Sequence, residues 1–228
     1  MRSSRWDAQG NVYLVTDEML DAERARAEVC DADGIVQVVA HGDDWLEIAI
    51  WNPDGSQAEM SGNGTRIAAR WLAEHTGAET LTVRVGPREV RARLLDGPLV
   101  EQDMGEPSVG APEEVDAIRF TAVDVGNPHA VVHGDPTELP RIGPLLETHA
   151  RFPQRTNVQV AQATVPGEIV ARVWERGVGE TASSGSSAVA VAAAFGSSDV
   201  RVRFPGGPLD VRFEGRRAFL IGPAVRVG

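Results

Sequence analysis

The segment SSAVAVAAAFG, residues 186–196, constrains the fold more than any other in the chain. It reads as a helix that is apolar on every side, and such a helix has no face to give to water. A sheet or barrel has to enclose it. The segments around it supply one: AIRFTAVDVG, HAVVHG, NVQVAQATV, IVARVWE, DVRVRFP, LDVRFEG and AFLIGPAVRV alternate or run apolar and β-branched, and read as strands. LPRIGPLLETHARF reads as a further helix.

The first half follows the same plan. NVYLVTD, GIVQVVAHG, WLEIAIW, TLTVRV, EVRARLL and LVEQDM read as strands, with NPDG, GP and DGP as turns. DEMLDAERARAEVCD predicts a first helix. RIAARWLAEH predicts a second, entered from the loop SGNGTR at 61–66 and stopped by Gly77. The enclosed helix of the second half is entered from a similar loop, SSGSSA at 183–188. Two β-rich halves, each with a helix behind a Ser-Gly loop, predict an internal duplication. The break is placed near GEPSVGAPEE at 105–114, with the halves at 1–110 and 111–228.

Composition narrows the function. A formal charge of -11 repels phosphate backbones, and no basic stripe interrupts it, so nucleic acid is not an expected partner. No apolar run is long enough for a bilayer and the start lacks a signal core, so no membrane association and a cytoplasmic location are expected. The single cysteine, Cys30, lies in a charged helical stretch and reads as a bystander. His41, His75, His129, His133 and His149 show no ligand spacing, so no metal site is expected.

Glycine lets backbone approach a ligand closely, and the first-turn N–H groups of a helix attract an anion. Alone, Gly62, Gly64 and Gly185 read as helix caps. As a pair with their flanking residues, the two loops read as two grips on one carboxylate.

NPDGSQAEMSGNGTR resembles the diaminopimelate epimerase signature N-x-D-G-S followed by C-G-N-G-x-R, and WERGVGETASSGSSA resembles that family's E-R-G-x-G-E-T-x-x-C-G-[ST]-[GA]. QGNVY, DMGEP, GNPHAVV, LETHARFPQRTNV, FPGG and GPAV follow in the family's order, so the resemblance runs nearly end to end. It implies an α+β fold of two pseudo-symmetric, β-barrel-like halves, each around a central helix, with the active site in the cleft between them. It implies an amino-acid isomerase that interconverts LL- and meso-diaminopimelate, in the supply of lysine and peptidoglycan precursors. No metal or pyridoxal cofactor takes part: one cysteine thiolate removes the α-proton and a second thiol returns one from the opposite face.

This sequence has Ser61 and Ser184 where the motifs align those cysteines. A serine hydroxyl is weaker than a thiol by roughly five pKa units, so its oxyanion costs on the order of 7 kcal/mol more. The resemblance also assigns His129 and Glu175 to tuning the two catalytic positions, and a relay from serine to one of them is conceivable. By the same resemblance, Asn11, Asn52, Asn127 and Asn157 hold the substrate's polar ends. Glu175 takes an ammonium and Arg176 a distal carboxylate, while the N–H groups of Gly62, Asn63, Gly185 and Ser186 grip the reacting carboxylate. The expected partner is a small diamino dicarboxylic acid. A homodimer stays open, because relatives carry an aromatic for dimer packing where this chain reads GPAVRVG. Two alternatives to the epimerase also stay open: an impaired or substrate-trapping relative that binds a diamino acid, and a dehydratase like those of the proline racemase superfamily.

Overall fold

The computed structural model describes residues 3–196 and 199–228. By internal packing the chain divides into two units, Met1–Asp103 with Ile221–Gly228, and Met104–Leu220. Its elements are β1 (Ser3–Asp7), β2 (Val12–Thr16), α1 (Ala22–Glu28), β3 (Gly34–His41), β4 (Trp45–Trp51), β5 (Gln57–Ala58), α2 (Gly62–Thr76), β6 (Thr80–Val85), β7 (Arg88–Leu94) and β8 (Leu99–Gly105). There follow β9 (Ser108–Val115), β10 (Ile118–Asp124), β11 (Pro128–His133), a 3-10 turn (Pro136–Glu138), α3 (Leu139–Glu147), β12 (Asn157–Val165) and β13 (Glu168–Glu175). The chain ends with β14 (Gly179–Thr181), α4 (Gly185–Ala194), β15 (Asp199–Phe204), β16 (Gly207–Glu214), β17 (Arg217–Pro223) and β18 (Val225–Arg226). This is a mixed α+β, sheet-rich chain of two repeated halves.

The duplication holds at the level of strand register. In the first unit β1 pairs antiparallel with β2, β2 parallel with β3, β3 antiparallel with β4, β4 antiparallel with β5 and parallel with β6, and β6 antiparallel with β7. The second unit repeats every step through β10, β11, β12, β13, β14, β15 and β16. The pairings align individual residues. Tyr13 stands opposite Gly34 as His129 stands opposite Asn157, and Trp51 opposite Ile35 as Trp174 stands opposite Val158.

Each unit wraps its sheet around one helix and sets a shorter helix on the sheet's other face. Ile67, Ala68, Ala69 and Leu72 of α2 share a core with Val36, Val38, Ile48 and Ile50, while Ile35 and Trp51, on the opposite face of the pleat, pack with Ala25 of α1. In the second unit Ala188, Val189, Ala190, Val191 and Ala192 of α4 are fully buried against Val131, Ala171 and Leu209; Ala130 and Val132 face Leu139, Ile142 and Leu146 of α3. The helix that is apolar all round is thus the enclosed one, as its sequence requires.

Three sequence expectations change. The first helix is shorter than 17–31, because Asp21 is extended and its side chain caps the helix by accepting from Arg24 N, while Cys30 sits at φ 52, a left-handed conformation that ends it. The segment read as a break, 105–114, is largely strand β9, paired with β10; it is mostly exposed, so it lacks the apolar alternation that marks a buried strand. The last eight residues go with the first unit instead of the second half. The tie is physical: β18 pairs with β1, and Ala224 N donates to Pro98 O at 2.9 Å.

Candidate active site

Several of the residues singled out from sequence fall at equivalent places in the two units. Asn11 and Asn127 immediately precede β2 and β11, Asn52 and Glu175 follow the matched tryptophans Trp51 and Trp174, and Ser61 and Ser184 are the N-caps of α2 and α4. Gly62 and Asn63, like Gly185 and Ser186, open the first turns, where backbone N–H groups have no partner within the helix.

In the first unit Ser61 is extended (φ -142, ψ 120) and its Oγ accepts from Gly64 N at 3.0 Å. The Tyr13 hydroxyl lies 3.2 Å from the same Oγ. The turn is clamped from below by Gln102, whose amide oxygen accepts from Thr65 Oγ1 at 2.7 Å and Arg66 N at 3.1 Å while its nitrogen donates to Gly62 O at 3.0 Å. Asn63 is buried, with its side-chain oxygen accepting from Arg66 Nη2 at 2.8 Å. Arg66 is itself fully buried, and desolvation lowers its pKa to about 10, leaving it a cation at neutral pH. Asn52 closes a turn by donating to Ser56 Oγ at 3.0 Å. Asn11 is buried at the head of β2.

In the second unit the Ser184 hydroxyl makes no capping bond, although its backbone (φ -149, ψ 127) matches that of Ser61. His129 is buried. Its Nδ1 accepts from Gln159 Nε2 at 3.0 Å and its Nε2 faces Asn127 Oδ1 at 3.0 Å; Gln159 Nε2 also donates to Ser187 Oγ at 2.9 Å in the first turn of α4. Burial drives the imidazole pKa down to about 3, so His129 is neutral at ordinary pH. With amides on both ring nitrogens, His129 forms no hydroxyl–imidazole relay here.

The loop after β13 carries Arg176, and two buried groups hold its backbone. Asn157 Oδ1 accepts from Arg176 N at 3.0 Å while its Nδ2 donates to Pro128 O at 3.0 Å, so this amide ties the loop to β11. Glu147 accepts from Gly177 N at 2.7 Å, from Trp174 Nε1 at 2.8 Å and from Arg155 Nη1 at 3.2 Å. Glu175 Oε1 accepts from Thr181 Oγ1 at 2.6 Å across the β13–β14 hairpin. Sequence reasoning passed over Tyr13, Gln102, Glu147 and Gln159. None carries a local signal, since each acts through a partner distant in the chain. Cys30 is exposed and lies outside both helix-entry loops. Among the described residues, no three His, Cys, Asp or Glu side chains group as a metal site, and no helix is long and apolar enough to cross a membrane.

The sequence profile of diaminopimelate epimerase matches residues 8–109 and 121–227. The chain is 34% identical over 255 residues to a diaminopimelate epimerase of Carboxydothermus hydrogenoformans, covering 94% of this chain and 93% of that one. It is 36% identical over 267 residues to that of Pelotomaculum thermopropionicum, covering 96% and 94%. Among solved structures, a protein from Pseudomonas aeruginosa described as a predicted epimerase superposes with a TM-score of 0.78 at 17% identity, over 99% of this chain and 96% of that one, a likeness of fold.

Proposed function

We propose that this chain, which belongs to the diaminopimelate epimerase family, interconverts LL- and meso-diaminopimelate by a cofactor-independent transfer of protons at one α-carbon. The observation that carries the reading is the repeat itself: both units enter their central helix through a Ser-Gly turn whose first N–H groups are not used by the helix. Such donors stabilise the negative charge that a carboxylate gains as its α-carbon becomes carbanionic.

In this reading one of Ser61 and Ser184 removes the α-proton and the other delivers one to the opposite face. Gly62, Asn63, Gly185 and Ser186 supply backbone donors to the reacting carboxylate, and Arg176 takes the distal one. Inversion needs an acid and a base together, so neither serine suffices alone.

A second reading has an observation of its own. His129 is neutral and has amides on both nitrogens, and so offers no base to a serine; a protein in this state binds the diamino acid without turning it over. Incubation with LL-diaminopimelate in deuterated water separates the two. Deuterium in the product, with a gain of orders of magnitude when Ser61→Cys and Ser184→Cys are combined, is the outcome expected of the epimerase. A ligand-dependent rise in melting temperature, with no deuterium entering the diamino acid, is the outcome of the binder.

A further inference from the structure

We propose that Tyr13 is a positioning residue that shares the Ser61 proton, so that the charge changes at Ser61 are carried by a phenol instead of an alkoxide. The Tyr13 hydroxyl lies 3.2 Å from Ser61 Oγ, which already accepts from Gly64 N at 3.0 Å. That leaves the serine its own hydrogen and one lone pair, and Tyr13 is in reach of either.

The ring is held where this exchange needs it. Tyr13 is 8% exposed, and its ring edge fills the space over Gly34, where a Cβ would meet Tyr13 Cε1 at 2.8 Å and Trp51 O at 2.7 Å. The repeat gives independent support. The residue at the equivalent register in the second unit is His129, also a titratable ring, and it too is linked to the start of the enclosed helix, through Gln159 to Ser187. Both halves therefore place a titratable ring at the same register of the sheet. Only in the first does it reach the N-cap hydroxyl directly.

The proton balance is simple. When Ser61 acts as base, its Oγ takes the α-proton as its own hydrogen passes to the Tyr13 phenolate, giving a neutral serine and a neutral phenol. In the reverse direction the phenol protonates Oγ as Oγ–H protonates the carbanion, and the charge ends on the phenolate. A phenol ionises near pH ~10, far closer to a thiol at ~8.5 than to a serine hydroxyl. The pairing thus recovers much of the acidity lost on replacing a thiol.

The proton step rests on the epimerase reading; the Tyr13–Ser61 pair does not, and the experiment reads the two separately. Tyr13 is the chain's single tyrosine, so the ultraviolet absorbance of tyrosinate titrates this one group. The parent and Ser61→Ala should show different midpoints, because the serine hydroxyl donates to the phenolate; identical midpoints overturn the inference whatever the activity. For catalysis, α-deuterium exchange is followed against pH in the parent, Tyr13→Phe, Ser61→Cys and the double variant. With Ser61 in place, Tyr13→Phe should lower kcat about 10²-fold with KM unchanged and remove the rise of rate toward alkaline pH. In the Ser61→Cys background the same change should alter kcat by less than about 3-fold, since a thiol carries its own charge. Equal losses in both backgrounds mean a structural role and overturn the proposal, as does an undiminished rate with Ser61 in place. A parent that exchanges nothing refutes the epimerase reading, and the absorbance titration then decides the pair alone.

Discussion

At the scale of single residues, the two N-cap serines look alike in sequence and differ in the fold. Ser61 Oγ accepts from Gly64 N, whereas Ser184 makes no such bond. Ser61→Ala should therefore cost about 1 kcal/mol as a lost cap, and Ser184→Ala distinctly less. Urea unfolding of the two variants checks the order, and equal losses would contradict it. His129 supports a second prediction. An unfolded imidazole takes its proton near pH ~6.5, but the buried ring does so only near about 3. Between those values the unfolded chain binds a proton that the folded chain refuses, so this group's contribution to stability is present above pH ~6.5 and falls away toward pH 3. The acid-side slope of unfolding free energy should be shallower in His129→Gln, whose amide can still pair with its neighbours. An unchanged slope would mean the ring is not buried neutral.

At the scale of elements, α4 has no exposed face to absorb added volume. Ala188, Ala190 and Ala192 are all at zero exposure, because strands β10, β11, β12, β15 and β16 approach the helix from several sides. Ala190→Leu should cost about 1–3 kcal/mol by overpacking, whereas the same change at an exposed helical site would cost no more than a few tenths of a kcal/mol. A thermal melt compared with Ala27→Leu, on α1 and exposed, tests this. The shorter helices show how far local patterns carry. Gly77 was legible as a stop and has φ 78 at the end of α2. Asp21 is not legible as a cap in the same way, because its setting in a run of charged residues suits a helix interior as well as its start.

At the scale of the molecule, the division into units is not a division of the sequence into two continuous pieces. Pro223 O accepts from the buried Arg66 Nε at 3.1 Å, Ala224 belongs to the first unit's core, and β18 pairs with β1. Deleting residues 221–228 should abolish hydrogen-exchange protection in β1 and at the start of α2, with less effect on β12 and β13. Retained protection in β1 would show that the last strand is dispensable.

The sequence by itself determined the α+β class, the duplication, the enclosure of the second central helix and the family, because each depends on period, composition or a short motif that local physics fixes. Trp45–Trp51 stands as read because Leu46, Ile48 and Ile50 alternate onto one buried face, and Asn157–Val165 because it is a short run rich in valine, buried on both faces over its first five residues. What only the tertiary structure decided are contacts between residues far apart. Tyr13 and Ser61 are 48 positions apart, and Gln102 and Thr65 are 37. The parallel register of β2 on β3, and the seating of α2 against that sheet, bring the phenol to the hydroxyl; neither is a property of a local stretch of chain. For the same reason Asn157, which the family resemblance assigns to the substrate, has both ends of its amide bonded to backbone. Strand β9 escaped notice on the opposite ground: with neither face buried, it had no period to display.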